Sequence, residues 1–206
     1  LEKFDLQLRI GDVYLKQLSQ PEDAVQAYRR ALDFQPDSKA AHLKIFQVLV
    51  DAESYGEAVE TLTRLVELEQ DGRRKGSYYG AIADVYRDKL GDDDQAVHYF
   101  NLGLDCDPTC LKAFRGIDEI LTDREDWGAL QKNYRTMLVR VQDDESQSAL
   151  QFKLCFNLGE IYRTRLKEMN KAAEQIQKGQ LSQAVTSSTR AQKDLQEMQE
   201  ELRKQT

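Results

Sequence analysis

The stretch IGDVYLKQLSQPEDAVQAY, residues 10–28, returns in altered form as IADVYRDKLGDDDQAVHYF at residues 82–100. The offset is 82 − 10 = 72 residues, and residues 10–45 align with 82–117 with 12 identities in 36 positions and no gap. Self-similarity at a fixed period is typical of stacked repeat arrays, in which each unit needs its neighbours to complete an apolar core. The sequence therefore predicts a repeat protein that contains a duplicated module.

Each module begins with two short amphipathic helices joined by a polar turn. In residues 4–36, apolar and small residues recur at helical spacing before and after the polar break KQLSQPED, a pattern that predicts helix, turn and helix. Pro36 ends the second helix, because proline lacks a backbone donor and its ring clashes with the preceding turn. The small residues Gly11 and Ala24 are expected to face the partner helix and to allow close approach, with Tyr28 beside them.

The order small residue, tyrosine, alanine, aromatic, small residue and proline resembles the tetratricopeptide repeat, a helix–turn–helix unit of about 34 residues. The resemblance implies an all-α fold, an α-solenoid of about five repeats in a right-handed superhelix with a C-terminal capping helix. It is weaker in the fourth copy, where Asp118 and Leu130 stand at positions that are usually small. The implied repeats are approximately 4–38, 39–72, 76–110, 111–145 and 152–181, within an array at 1–180 that a helix at 182–206 follows.

The 72-residue period exceeds two repeats because alternate copies differ in their turn. From the tyrosine column to the alanine column the odd copies need ten residues (14 to 24 and 86 to 96), whereas the even copies need nine from the equivalent leucine (49 to 58). The longer turn contains a polar cluster that favours helix capping, from Ser19 to Asp23 in the first copy and from Asp92 to Asp94 in the third. The module is therefore predicted to be a pair of dissimilar repeats.

The last segment follows a different pattern. The stretch KDLQEMQEELRKQT, residues 193–206, is predicted to be a helix, with Leu195, Met198 and Leu202 at three- and four-residue spacing. As a capping helix it would cover the last apolar face of the array, which terminal repeats need for solubility. The alternative is a short coiled coil that joins subunits, which would make the chain a homo-oligomer through this helix.

Composition excludes several classes of protein. The net charge of −7 argues against nucleic-acid binding, because that binding depends on neutralisation of phosphates by basic side chains. No apolar run approaches the roughly 20 residues of a membrane helix, so no membrane insertion is expected. Three cysteines are too few for a disulfide scaffold and favour a reducing compartment. Cytoplasmic location is the default expectation, since the start at Leu1 carries no targeting information.

No catalytic, cofactor-binding or metal-binding motif is apparent in the sequence. His42 lies in a column that the family fills with packing residues, and His98 is expected to face solvent. Cys106 and Cys110 lack a second pair of ligands, so we expect them to pack rather than to coordinate a metal. The stretch DGRRKG, residues 71–76, is expected to be a solvated turn with a weak basic patch. The chain is therefore predicted to have no enzymatic activity, no metal and no cofactor.

Binding is predicted on the concave face that the first helices of successive repeats form in the family. The resemblance implies that two columns of these helices contact an extended peptide or a partner helix. The later column consists of Asp12, Gln47, Asp84, Glu119 and Glu160. The earlier column consists of Leu8, Leu43, Gly80, Arg115 and Phe156.

The four carboxylates of the later column form a predicted negative stripe beside a partly apolar one. Family members that grip the acidic C-terminus of heat-shock chaperones use lysine, arginine and asparagine in these columns, and the acidic residues here would repel that ligand. The predicted partner is therefore a protein or peptide that is basic or amphipathic. A separate positive patch towards the C-terminal half is predicted from Arg87, Lys112, Arg115, Lys153 and Arg163.

These features predict a non-enzymatic scaffold or adaptor for protein–protein interaction. A preformed curved surface lowers the ordering cost that the scaffold pays on binding. Two alternatives stay open at this point. One is a structural module for self-assembly through the C-terminal helix or the first repeat, and the other is an accessory interaction domain of a larger enzyme or sensor. No motif identifies the partner.

Overall fold

The computed structural model describes the backbone of residues 2–177 and the side chains of residues 2–163. Over the described residues the secondary structure is helical without a strand, which confirms the predicted all-α fold. The chain divides into two compact units, Leu1–Asp143 and Asp144–Thr206. The α-helices are α1 (Glu2–Lys16), α2 (Pro21–Leu32), α3 (Lys39–Asp51), α4 (Tyr55–Leu68), α5 (Gly72–Val85), α6 (Asp93–Cys106), α7 (Leu111–Asp123), α8 (Trp127–Val141) and α9 (Ser148–Gln177).

In the first unit each helix packs on the next helix of the chain. Contacts join α1 to α2, α2 to α3 and so on in order to α8, which is the nearest-neighbour pattern of a repeat array. The alanine column is fully buried at Ala24, Ala58 and Ala96, and the aromatic column is buried at Tyr28 and Phe100. The small residues thus allow close helix packing, as the sequence predicts.

Side-chain caps define where several helices begin. The carboxylates of Asp71, Asp92 and Asp126 each accept a hydrogen bond from the backbone N–H three residues later, and the Ser38 hydroxyl does the same for α3. These bonds satisfy N–H groups that have no partner within the helix. Helix α2 begins instead with Pro21, whose missing donor is harmless in the first turn.

The extra residue of the odd repeats lies at the end of the first helix. In every copy five residues separate a residue of left-handed backbone from the alanine column, so the tenth residue must precede it. In the second repeat the Ser54 N–H donates to the Leu49 carbonyl, five residues earlier, whereas in the first repeat the Gln20 N–H donates to Tyr14, six residues earlier. The third repeat widens in the same way, through a π-helical turn at Tyr86–Leu90. The left-handed residues are Ser19 (φ 54°), Glu53 (φ 58°), Gly91 (φ 66°) and Glu125 (φ 53°).

The stretch DGRRKG belongs to α5, so the prediction of a solvated turn is wrong. Asp71 caps the helix by accepting a hydrogen bond from the Arg74 N–H at 2.9 Å. A Cβ atom on Gly76 would lie 3.0 Å from the carbonyl oxygen of Gly103 in α6. Glycine at both positions therefore lets the two helix backbones lie against each other, and this packing together with the cap makes the stretch helical.

A buried carboxylate links the second repeat to the third. Glu69, between α4 and α5, is 4% exposed and accepts hydrogen bonds from Lys39 Nζ at 2.8 Å and from the backbone N–H groups of Gln70 and Asp71. These bonds, with that of Lys39 the strongest, lower the pKa of Glu69 to about 2. The junction therefore holds a permanently ionised carboxylate at neutral pH.

In the second unit, α9 is one uninterrupted helix of 30 residues, Ser148–Gln177. The prediction of a turn between Tyr162 and Ala172 is therefore wrong. The intervening stretch RTRLKEMNK contains no glycine or proline and consists mainly of strong helix formers, which explains why the helix continues. The predicted end of the fifth repeat, after Gln177, and the predicted C-terminal helix at 182–206 lie outside the described residues.

Candidate functional site

The first helices of the first unit place the predicted binding columns at their surface. Asp12 and Asp84 are half-buried, whereas Gln47 and Glu119 are exposed. In the second unit Glu160, half-buried on α9, accepts hydrogen bonds from the guanidinium of Arg163. The question for the site is therefore how much of this acidic charge a ligand would meet.

Asp12 is already bound by two groups of its own chain. Its Oδ1 accepts a hydrogen bond from the Tyr28 hydroxyl at 2.7 Å and another from Lys44 Nζ of α3 at 2.6 Å. Burial alone would raise the pKa of Asp12, but the hydrogen bonds from Lys44 and Tyr28 and the charge of Lys44 outweigh it and leave the pKa below its ordinary value. Asp12 is therefore an ionised carboxylate whose charge Lys44 compensates.

Asp84 repeats this arrangement with different partners. Its carboxylate accepts a hydrogen bond from Lys112 Nζ of α7 at 2.6 Å and one from the Arg87 guanidinium at 3.3 Å. Arg87 also lies 3.7 Å from Glu119 Oε2, hydrogen-bonds Asp88 at 2.7 Å and stacks 5.6 Å from the centre of the Phe100 ring. One arginine thus connects three carboxylates and an aromatic ring across two repeats.

The acidic stripe is consequently compensated rather than free. Lys44 and Lys112 each come from the first helix of the following repeat, so the ion pairs join α1 to α3 and α5 to α7. Arg87 and Lys112, two cations of the predicted separate positive patch, lie in the same network as the acidic column. Arg115 is exposed and has no ion pair among the described residues, and Lys153 is exposed on α9.

The earlier column is more apolar and more open. Leu8 is half-buried and packs against the core, whereas Leu43 is 41% exposed. A Cβ atom on Gly80 would meet no atom within 4 Å, so the surface of α5 is open at this point. On α9, Phe156 is 61% exposed and Phe152, one turn earlier, is 75% exposed. The sequence interpretation missed Phe152, although its four-residue spacing from Phe156 places both rings on one helix face.

The two copies of the module position their central aromatic ring by different means. In the first, the Tyr28 ring lies against Gly11, where a Cβ atom would be 2.3 Å from the ring, and Lys44 lies 5.5 Å from the ring centre. In the third repeat the equivalent Phe100 faces an alanine at the position of Gly11, and its ring lies instead against Gly116, the equivalent of Lys44. The ring therefore leans towards whichever side carries glycine.

The residues considered for catalysis have packing environments. His42 is buried, and its Nε2 lies 3.0 Å from the Pro36 carbonyl oxygen; His98 is exposed. Cys106, Cys110 and Cys155 are half-buried free thiols. Over the part of the chain that the structure describes, no group of three or more His, Cys, Asp or Glu side chains could hold a metal ion, and no helix is long and apolar enough to cross a membrane.

Comparison with known protein families decides the family. Two models described as tetratricopeptide repeat match the chain, one over residues 7–85 and the other over residues 76–110. The chain belongs to the tetratricopeptide repeat family. The resemblance drawn from the repeated stretch is thereby confirmed. Tetratricopeptide repeats are protein–protein interaction modules and are typically non-catalytic, which confirms in general terms the prediction of an interaction scaffold.

Solved structures of similar fold include other repeat proteins. The crystal structure of MamA is 17% identical with a TM-score of 0.49, over 71% of this tetratricopeptide repeat chain and 80% of MamA. The MamA fragment 41-end from Desulfovibrio magneticus RS-1 is 15% identical with a TM-score of 0.46, over 69% and 77%. The N-terminal domain of stress-induced protein-1 from C. elegans is 17% identical with a TM-score of 0.50, over 58% of this chain and 94% of that domain, a likeness that shows a shared fold. Among curated proteins, none matches this sequence.

Proposed function

We propose that the chain is a non-enzymatic scaffold that binds an extended peptide or a partner helix along its first helices. The observation that carries this proposal is the pairing of Asp12 with Lys44 and of Asp84 with Lys112. Because each pair joins the first helices of two consecutive repeats, the columns of α1 and α3, and those of α5 and α7, lie side by side. A ligand that follows the columns would therefore contact more than one repeat at a time.

The open surface at Gly80 supports this site. Glycine inside a helix costs about 1 kcal/mol relative to alanine, and a Cβ atom at Gly80 would meet nothing within 4 Å. Packing within the described chain therefore does not require glycine here. Close approach of a partner's backbone or side chain to α5 would require it. The exposed Leu43 in the same column offers an apolar contact beside it.

The ion pairs refine the expected chemistry of the partner. A carboxylate that already accepts hydrogen bonds from a lysine attracts a basic ligand less than a free carboxylate would. We therefore favour an amphipathic segment over a strongly basic one, with apolar side chains opposite Leu43 and Gly80. In the second unit, the exposed rings of Phe152 and Phe156 are proposed to bind apolar side chains in the same manner.

Paired substitutions test the proposal. Gly80→Gln on the first helix α5 is compared with Gly56→Gln on the second helix α4, because an added Cβ meets nothing within 4 Å at either glycine. Leu43→Glu is compared with Val139→Glu on α8, since both side chains are exposed. Each variant serves as bait in a pull-down from the native source, after circular dichroism has shown that its helix content is unchanged.

Proteins that Gly80→Gln and Leu43→Glu lose, and that both controls retain, are the expected result. If the two members of each pair retain the same proteins, the assignment of the binding face to the first helices is wrong. Reversal of the acidic column to lysine is a harsher test, because it also removes the partners of Lys44 and Lys112. We also propose a cytoplasmic location, which the three free thiols favour.

A further inference from the structure

Helix α1 carries an exposed stripe that the proposed function does not use. Leu6 is 54% exposed and Val13 is 42% exposed, and the exposed cations Arg9 and Lys16 alternate with them. The spacing of three, four and three residues places all four on one face of the helix. Val13 lies about 100° around the helix from its neighbour Asp12, so this stripe is distinct from the binding columns.

The internal repeat shows what covers this face in the other copy. At the 72-residue offset, Leu6 and Val13 correspond to Tyr78 and Val85 of α5. Val85 is only 7% exposed, because it packs in a cluster with Val59, Leu62 and Val66 of α4, against which Tyr78 also packs. The same face is therefore covered by a helix in the third repeat and uncovered in the first.

A neighbouring pair of residues shows that the difference is local. Leu18 and its equivalent Leu90 are 55% and 46% exposed, so the two copies do not differ in exposure where α4 is not packed. At the position of Arg9, α5 has Ala81, which packs against the cluster that contains α4. A helix that lay on α1 in the same way would therefore contact Arg9 directly.

We propose that Leu6, Arg9, Val13 and Lys16 form a docking surface for an amphipathic helix of a partner protein, which lies on α1 as α4 lies on α5. Its apolar face carries aliphatic side chains at the spacing of Val59, Leu62 and Val66. Carboxylates flank that face, because Arg9 and Lys16 make no ion pair among the described residues and an ion pair at the interface would compensate their charge.

A peptide with the sequence of α4 is a direct probe of this surface. The probe spans residues 54–69 and carries a fluorescent label and a hydrocarbon staple in place of Glu60 and Arg64. Both replaced residues are exposed, so the staple holds the peptide helical without altering its apolar face. Its remaining glutamates, Glu57, Glu67 and Glu69, supply the negative charge that the proposal requires. Fluorescence anisotropy reports its binding to the full chain.

Three variants of the full chain separate the possible results. Leu6→Glu/Val13→Glu is expected to weaken binding at least about tenfold, and Arg9→Glu several-fold, because the first removes the apolar contact and the second opposes the carboxylates. Leu18→Glu is the matched control and is expected to bind as the wild type does. All substituted side chains are exposed, and Leu6→Gln/Val13→Thr replaces the double variant if circular dichroism shows that the latter has lost helix.

Two results would overturn the proposal. One is a wild-type chain that does not bind the stapled peptide saturably, or binds a scrambled peptide equally well. The other is binding that the double substitution leaves unchanged. Sedimentation velocity of the wild type without peptide adds a third arm: if it self-associates and the double variant does not, the face is occupied by a second copy, and the partner-helix proposal is wrong. Gly80→Gln, which alters the binding columns, is expected to leave peptide binding unchanged.

Discussion

Replacement of Gly116 by alanine is expected to destabilise the chain, although alanine is the better helix former. A Cβ atom on Gly116 would lie 2.6 Å from Cε2 and 2.7 Å from Cζ of the Phe100 ring, whereas carbon atoms in contact are ordinarily about 3.5–4.0 Å apart. The ring is 1% exposed and Arg87 lies over it, so it cannot turn out into solvent. Relief of the overlap therefore requires movement of packed groups.

The magnitude follows from two opposing effects. Overpacking of a well-packed core by a methyl-sized group costs about 1–3 kcal/mol, and the gain in helix propensity from glycine to alanine is about 1 kcal/mol. Gly116→Ala should therefore lower the free energy of unfolding by up to about 2 kcal/mol. Gly80→Ala is the matched control, because its Cβ meets no atom within 4 Å, and it should raise the free energy of unfolding by about 1 kcal/mol.

Urea unfolding followed by far-ultraviolet circular dichroism measures both effects. The difference between the two variants removes the shared propensity and leaves the steric cost, about 1–3 kcal/mol. A double-mutant cycle with Phe100→Leu identifies its source: on the smaller side chain, Gly116→Ala should lose most of its cost. The reasoning is refuted if Gly116→Ala is as stable as Gly80→Ala, or if Phe100→Leu leaves the cost of Gly116→Ala unchanged.

Two further predictions concern the repeat junctions. The pKa of Glu69 is lowered from 4.5 to about 2 in the folded chain, so its ionised form contributes stability that is fully present above pH 4.5 and lost as the pH falls towards about 2; Glu69→Gln should flatten this part of the acid dependence of the urea midpoint, and an unchanged slope would contradict the assignment. Glu53 has φ 58° and Gly91 has φ 66°, so Glu53→Gly should raise the free energy of unfolding by up to about 1 kcal/mol and Gly91→Ala should lower it by a similar amount. Thermal unfolding of both variants measures this, and a loss of stability in Glu53→Gly would show that the left-handed backbone is not strained.

The features that the sequence predicts correctly depend on short-range patterns. The identities between the stretches at 10–28 and 82–100 predict equivalent helices, and small residues such as Ala24 and Ala96 indicate where helices approach. His42 is likewise predicted by its column, since a residue at that register packs inwards whatever its chemistry. Periodicity encodes these properties because helical geometry fixes which residues share a face.

The site was less predictable because it depends on pairings between helices. The carboxylate column is visible in the sequence, but its compensation by Lys44 and Lys112 depends on the register of consecutive repeats. Arg87 reaches Glu119 from a π-helical turn, a departure from the regular helix that no periodicity indicates. The turn expected after Tyr162 failed for the opposite reason, since the family pattern was extended over a stretch with strong helix propensity.

The alternation between wide and narrow turns restricts how the array can change in length. Recombination between the codons of Ala24 and Ala96 would add or remove 72 residues and leave every helix junction identical to one that already exists. A crossover between Ala24 and Ala58 would instead join an odd first helix to an even second helix, and would place Lys44 and Gly116 against rings that do not fit them. Gene rearrangements that preserve folding should therefore insert or delete repeats in twos.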